Sequence, residues 1–334
     1  MSTISLAPDR VPAAQSIAAA FQPGVRTVLT THVNADGDGV GSEVALWHLL
    51  AAQGVSAGIA NPTGIPDRFS FLVPDGADVS DRAAKEVERA GLVVVLDIGD
   101  LGRLGDLGPA VQRRGVPVVC IDHHVSPGSL PPGPRLIDPA ATATAELVYD
   151  LAVALGWEIT RVIAQALYVG ILMDTGGFRF ANTTPRILRV AAELLGRGVD
   201  PETIYEKVYA TASEGRIRLT GEVLQTLVVE PELGLAWVTV PPAALERHGA
   251  TADDLEGLVE FPRSVSGVRL ALLFRQIASG RIKVSFRSVG DVDVAALAQR
   301  FGGGGHKRAA GASFVGTLAD VQQQVLAAAR DYLR

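Results

Sequence analysis

A chain of 334 residues with 48% hydrophobic and 20% charged side chains is too long for one ordinary core and too apolar for disorder, which predicts two folded domains. One cysteine excludes an intrachain disulfide, no uncharged apolar stretch approaches a membrane span, and the opening MSTISLAPDRVP lacks the marks of a secretory leader, so a cytoplasmic, non-membrane protein is expected. The net charge of −6 is uneven: residues 263–334 carry 11 Lys or Arg against 4 Asp or Glu, so an acidic portion suited to cations precedes a basic one suited to anions. Overall acidity disfavours wrapping a long nucleic acid but not gripping a short one.

In chain order, a strand is predicted at 26–31, an amphipathic helix at 40–52, a strand at 56–60, a helix at 81–90 and strands at 92–96 and 116–121. This alternation predicts an α/β fold with a parallel sheet, and Cys120 reads as a buried strand residue. From 143 to about 227 the pattern turns helical, with Thr184 before Pro185 as a cap and Gly196 and Gly198 as stops. Strands follow at 234–240, 268–276 and 282–286, the last two joined by 277–281, then helices at 294–301 and 318–333. The predicted division is a parallel-sheet α/β domain at 1–195, a helical connection at 196–225 and a smaller α/β domain at 226–334.

The segment HVNADGDGVGS directly follows the first strand and places His32, Asp36 and Asp38 at its carboxyl end, where ligand sites of α/β sheets lie. Gly37, Gly39 and Gly41 are read as allowing a tight turn; the competing reading is an Asp-Gly turn with helix-capping aspartates. Two more apolar strands run into Asp97 and into Asp122-His123-His124, and Asp174 ends the apolar helical run 162–173. Carboxylates at the same end of neighbouring parallel strands repel unless cations neutralise them, which predicts a metal centre. His48 and His248 are assigned no role, and Asp100 and Arg103 are read as capping or salt-bridge residues. Near the other end, FGGGGHKRAAG combines glycines with His306, Lys307 and Arg308 in a phosphate-binding pattern; its place between two predicted helices argues against a linker.

These motifs resemble the DHH phosphoesterase superfamily, whose name appears here as Asp122-His123-His124, and all four family motifs occur in order as HVNADGDGVGS, the aspartate of LDIGD, IDHH and MDTGGF. The resemblance implies that His32 and Asp36 hold one divalent ion, that Asp38, His123 and Asp174 hold a second, and that Asp97 bridges them. Mn²⁺ is the first choice for the mixed nitrogen and oxygen set, with Mg²⁺ or Co²⁺ as alternatives. Asp122 is expected to orient the histidines, and His124 to contact the scissile phosphate or protonate the leaving oxygen. The glycine run resembles the GGGH signature of the DHHA1 domain, and VSFRS matches another of its elements. Arg287, Ser288, Gly303, Gly304, Gly305 and His306 are therefore implied to hold a substrate phosphate or terminal nucleotide, across a cleft between the two domains.

The compact one-plus-one arrangement is similar to NrnA-type members. It implies hydrolysis of short single-stranded oligonucleotides (nanoRNA, and dinucleotides such as pGpG or pApA) and of 3′-phosphoadenosine 5′-phosphate (pAp), with a homodimer as the expected state. A cyclic-dinucleotide phosphodiesterase, a family II pyrophosphatase and a non-catalytic nucleotide sensor are the alternatives. Low aromatic content, 5%, offers no evident long stacking platform.

Overall fold

The computed structural model describes residues 4–124, 132–277 and 280–334, and its internal contacts divide the chain into two compact units, Met1–Ala210 and Thr211–Arg334. The first unit runs α1 (Arg10–Ala18), β1 (Thr27–Thr30), α2 (Gly37–Ala52), β2 (Ala57–Ile59), α3 (Ala83–Arg89), β3 (Leu92–Leu96), α4 (Leu107–Arg114), β4 (Val118–Asp122), β5 (Arg135–Ile137), α5 (Thr144–Leu155), α6 (Arg161–Asp174), α7 (Pro185–Gly196) and α8 (Pro201–Tyr205), the last followed by a π-helical turn at Glu206–Ala210. All strand pairs are parallel, in the order β2-β1-β3-β4-β5.

The apolar runs explain this sheet. Every residue of β3 and β4 is buried, and alternate side chains enter two different cores, as expected of a parallel sheet covered on both faces. Leu29, Val94, Leu96, Val119 and Ile121 join the core formed with α2, α5 and α6. Val28, Val93, Val95, Val118 and Cys120 join the core under α3 and α4. Thr184 caps α7 by accepting from the Ile187 N–H, with Pro185 in the first turn, as the sequence indicated.

The glycines of the first motif serve a different purpose from the tight turn anticipated. Helix α2 already starts at Gly37, and Asp36 is its N-cap, accepting from the Asp38 and Gly39 N–H groups. A methyl at Gly37 would lie 2.3 Å from Met173 Cγ, at Gly39 2.6 Å from Thr31 Oγ1, and at Gly41 2.4 Å from the Ala166 carbonyl. These glycines clear space for α2 to lie against α6 and the end of β1, bringing their chemical groups together.

The second unit comprises α9 (Glu214–Leu224), β6 (Val228–Glu230), β7 (Leu235–Thr239), α10 (Ala244–His248), α11 (Glu260–Arg263), β8 (Leu270–Gln276), β9 (Arg281–Ser288), α12 (Val294–Gln299), β10 (Gly304–His306), β11 (Ala309–Val315) and α13 (Leu318–Leu333). Its sheet is mixed, in the order β10-β11-β9-β8-β7-β6, with only β7 and β8 parallel. Leu270, Leu272 and Phe274 of β8 face the core shared with α12 and α13, whereas Ala271 and Leu273 face the core under α9 and α10. In the anticipated connection 277–281 the Ile277 N–H donates to the Arg281 carbonyl at 2.8 Å, and residues 278 and 279 lie outside the described set.

The glycine run was placed between two predicted helices; its last two glycines, together with His306, instead form β10, paired antiparallel with β11. Clearance is again the reason. A methyl at Gly303 would sit 2.3 Å from the Gly311 carbonyl, and one at Gly305 2.4 Å from the Ala309 carbonyl, so only glycine lets this edge strand approach β11 so closely.

Candidate metal centre

Strand ends and helix starts of the first unit converge on one pocket of donors. His32 follows β1, Asp36 and Asp38 open α2, Asp97 follows β3, His123 and His124 follow β4, and Asp174 ends α6. Two separate sets each bring their ligand-capable atoms within 4.8 Å of one another, His32 with Asp36 and Asp97 and Asp38 with His123 and Asp174, and a third grouping of Asp97, His123 and His124 overlaps the two. Asp97 faces both, with Oδ2 3.5 Å from His32 Nε2 and Oδ1 3.5 Å from His123 Nε2. His123 Nε2 also lies 3.0 Å from Asp174 and 3.8 Å from Asp38.

This geometry fits divalent ions better than it fits direct hydrogen bonding. His32 Nε2 is buried without a hydrogen-bond partner, although the Asp97 and Asp36 carboxylates stand 3.5 and 3.8 Å away. Ligands flanking one cation at bonds of about 2.1 Å are separated by roughly 3.0 to 3.5 Å. His123 points Nδ1 toward the Ala141 carbonyl at 3.4 Å, leaving Nε2 for the acids. Hard oxygen donors with two imidazoles match Mn²⁺ or a similar divalent ion.

Electrostatics agree. Burial alone would lower the His32 and His123 imidazoles, yet the surrounding carboxylates override it and raise both to about 10. Asp38 is fully buried, and burial followed by the charges of Asp97 and Asp174 pushes it well above the usual carboxylate range; Asp174 is raised by burial first. Four aspartates against two imidazoles leave a surplus of negative charge that a cation would relieve.

Local backbone is bent to make this possible. Among the described residues four non-glycines have positive φ, and three of them, Asn34, Asp97 and Phe178, lie in these motifs. Asp97, at φ 59°, turns its carboxylate back across the strand end.

Several contributors were not evident from sequence. The Thr144 and Ala145 N–H groups at the start of α5 donate to the two Asp38 oxygens at 2.6 and 2.9 Å, and Thr144 Oγ1 donates to Asp97 Oδ1 at 3.0 Å. Arg103, assigned only a capping or salt-bridge role, donates from Nη1 to the Asp97 carbonyl at 3.2 Å and reaches 3.4 Å from His124 Nε2. Asp100 does cap, accepting from Gly102 N–H. Asp122 Oδ1 accepts from the His124 backbone N–H at 3.2 Å and ring Nδ1 at 2.7 Å, turning Nε2 toward Arg103. His48 has no such contacts, and His248 pairs with Glu222 at 2.7 Å.

In the second unit, Arg287 on β9 donates to the Phe286 carbonyl and lies 3.3 Å from Glu260. Lys283 shares its strand face and is lowered by burial, then by the charges of Arg275 and Arg287, so this face gathers positive charge. Ser288 is buried, its hydroxyl donating to the Val292 carbonyl at 2.7 Å. Gly303, Gly304 and Gly305 form the approach to and body of β10; the His306 backbone pairs with Ala309, while its side chain lies outside the described set.

A parallel sheet gathering imidazoles and aspartates at its strand ends, followed by a mixed-sheet unit with a basic strand face, defines a class. Residues 26–171 match the model of the DHH family N-terminal domain, and residues 236–334 match that of the DHHA1 domain. The chain belongs to the DHH family. More particularly, it is 38% identical over 309 residues to the bifunctional oligoribonuclease and PAP phosphatase NrnA of Thermus thermophilus, covering 91% of this chain and 89% of that one. Among solved structures it is similar to an exopolyphosphatase-related protein from Bacteroides fragilis, at TM-score 0.89 and 29% identity, covering 96% of this chain and 97% of that one. RecJ of Thermus thermophilus in complex with Mn²⁺ shares the fold at TM-score 0.60 and 17% identity, covering 99% of this chain and 56% of RecJ.

Proposed function

We propose that the protein is a metal-dependent phosphodiesterase that hydrolyses short oligonucleotides to mononucleotides and removes a phosphate from pAp. The observation that carries this reading is Asp97, whose two oxygens face two donor sets 3.5 Å away on either side. His32, Asp36 and Asp97 would hold one divalent ion, and Asp38, His123 and Asp174 the other, with Asp97 shared. Bound ions, Mn²⁺ by first choice, would supply the Lewis acidity that turns water into a nucleophile at neutral pH and stabilises the transferring phosphoryl charge.

The chain's own residues do the rest. The amides of Thr144 and Ala145 fix the Asp38 carboxylate, and the Thr144 hydroxyl fixes that of Asp97. Asp122 accepts the His124 Nδ1 proton and so orients the ring, leaving His124 and Arg103 side by side to contact a phosphate oxygen and to deliver a proton to the leaving group. Arg287, His306 and the backbone of Gly303, Gly304 and Gly305 would grip a terminal phosphate, and Ser288 would hold the neighbouring Lys307 segment by its 3.4 Å contact to that carbonyl. The NrnA likeness, which spans both units, supports the substrate choice.

Among the described residues no helix is long and apolar enough to cross a membrane. The buried single Cys120 suits the reducing cytoplasm, and the same reading expects a homodimer. Turnover with Mn²⁺ on dinucleotides, longer oligomers, pAp, cyclic dinucleotides and pyrophosphate tests the assignment: the first three should release mononucleotides or phosphate, dinucleotides fastest. A protein active only on pyrophosphate, or on nothing, sinks it.

A further inference from the structure

Beside the metal-site residues the first unit carries an aromatic surface that the chemistry above does not use. Tyr205 and Tyr209 stand with ring centroids 5.5 Å apart and planes at 42°, 58% and 41% exposed. Exposing two neighbouring tyrosine rings forgoes burial that each would contribute elsewhere. The patch adjoins the donors: the Tyr209 hydroxyl donates to Met173 Sδ at 3.3 Å, and Met173 directly precedes Asp174. Met173 and Phe69 both crowd Gly37, next to Asp36.

Cations surround it. The 3₁₀ turn at Asp67–Leu72 packs on the π-helical turn at Glu206–Ala210, stacking the Arg68 guanidinium 4.7 Å over the Phe69 ring and Lys207 4.8 Å over Phe71. Arg68 and Arg179 lie near enough for their charges to act on the Tyr209 hydroxyl. Aromatic rings with adjoining basic side chains are how proteins hold single-stranded nucleic acid, with bases on the rings and phosphates on the cations.

We propose that Tyr205 and Tyr209 form a base-stacking platform for the nucleoside adjoining the scissile phosphate, with Arg68, Arg179 and Lys207 placed along its phosphates. The proposal rests on the phosphodiesterase reading and adds to it a recognition element within the first unit. It makes the base, and not only the terminal phosphate, part of what the protein selects. The π-helical turn has a purpose in this arrangement, since the widened turn carries Tyr209 toward Met173 while Tyr205 stays beside it.

The test compares a dinucleotide with its analogue lacking one base, in Mn²⁺, for wild type, Tyr205→Ala, Tyr209→Ala and Tyr209→Trp. Tyr209→Ala should raise KM for the dinucleotide about tenfold, within the range for loss of one stacked base, and so collapse the preference for dinucleotide over abasic analogue, with kcat within about twofold. Tyr205→Ala should act in the same direction. Tyr209→Trp should keep the preference, and its added indole emission should be quenched when the dinucleotide is titrated in. Tyrosine variants that lose activity equally on both substrates, that change nothing, or that alter the sedimentation coefficient overturn the platform alone, provided the wild type cleaves the dinucleotide. A wild type inert toward every oligonucleotide removes the functional reading and the platform with it.

Discussion

Helix α5 supports two buried charge clusters in the first unit. At its start, the amides of Thr144 and Ala145 hold Asp38 among the donors of the metal-site set. Still within the first turn and then one turn further on, Glu146 and Asp150 face Arg10 and Arg186, with Asp138 completing the group at 2.6 Å from Arg10. Both clusters are acidic and both are buried, but the second carries its own guanidinium counter-charges. Burial would lower Arg10, and three carboxylates override this and hold it firmly protonated. The first cluster has no lysine or arginine side chain among its donors and raises the imidazoles instead. Where guanidinium counter-charge is built into the set, the cluster fastens α1 to α5 and α7; where the donor set lacks it, the buried Asp38 carboxyl is pushed upward and the imidazoles are held charged.

Three experiments break or sharpen this contrast. The largest effect is expected from Asp97→Asn, which keeps an acceptor for the Thr144 hydroxyl and tolerates positive φ yet removes the shared charge. Turnover should fall by about 10³-fold or more, while circular dichroism of the metal-free protein should remain that of the folded state, because lost attraction to His32 and His123 is set against relieved repulsion of Asp38 and Asp174; an unfolded variant would contradict the account. Arg10→Ala should do the reverse, lowering the unfolding free energy by about 3 to 5 kcal/mol as three carboxylates lose their partner. Urea titration measures the loss, and turnover per folded molecule should be preserved.

The third experiment adds Mn²⁺ to metal-free protein. At a hundred times the dissociation constant, stability should rise by about 2.7 kcal/mol for each ion bound, with no such gain in Asp97→Asn. Its pH dependence has a definite sign. Because His32 and His123 are raised to about 10, their protonation stabilises the metal-free fold fully below the unfolded-state value near 6.5 and is lost as pH climbs through about 10. Ion capture runs oppositely, since both imidazoles must release protons to coordinate. Affinity should therefore weaken as pH falls from about 8 to about 6, and calorimetry in buffers of differing ionisation enthalpy should register proton release. Binding without it would refute the imidazole ligands.

Much of the site was legible because its donors announce themselves locally. His32, Asp97 and the Asp122-His123-His124 triplet each follow an apolar strand in the chain, and parallel strands bring such ends together on one edge. Asp36 did both things the sequence allowed: one oxygen caps α2 while the other turns toward His32. Thr144 was invisible for the opposite reason. It lies 106 residues beyond Asp38, and nothing in its neighbours says that its amide will meet that carboxylate. Strand β5, three residues with only Leu136 buried, was too short for any pattern, and β10 was concealed by glycines that ordinarily disfavour strands.

The order of residues alone determined the alternating helices and strands, the uneven charge of the acidic and basic portions, and which imidazoles and carboxylates stand at strand ends, because these depend on periodicity and on groups adjacent in the chain. Tertiary structure decided which oxygens face which nitrogens, that Arg103 and Thr144 reach the same pocket, and that glycines act as clearance between elements. Those outcomes depend on contacts of a few ångströms between segments remote in sequence, and close packing creates them only once the whole unit has folded.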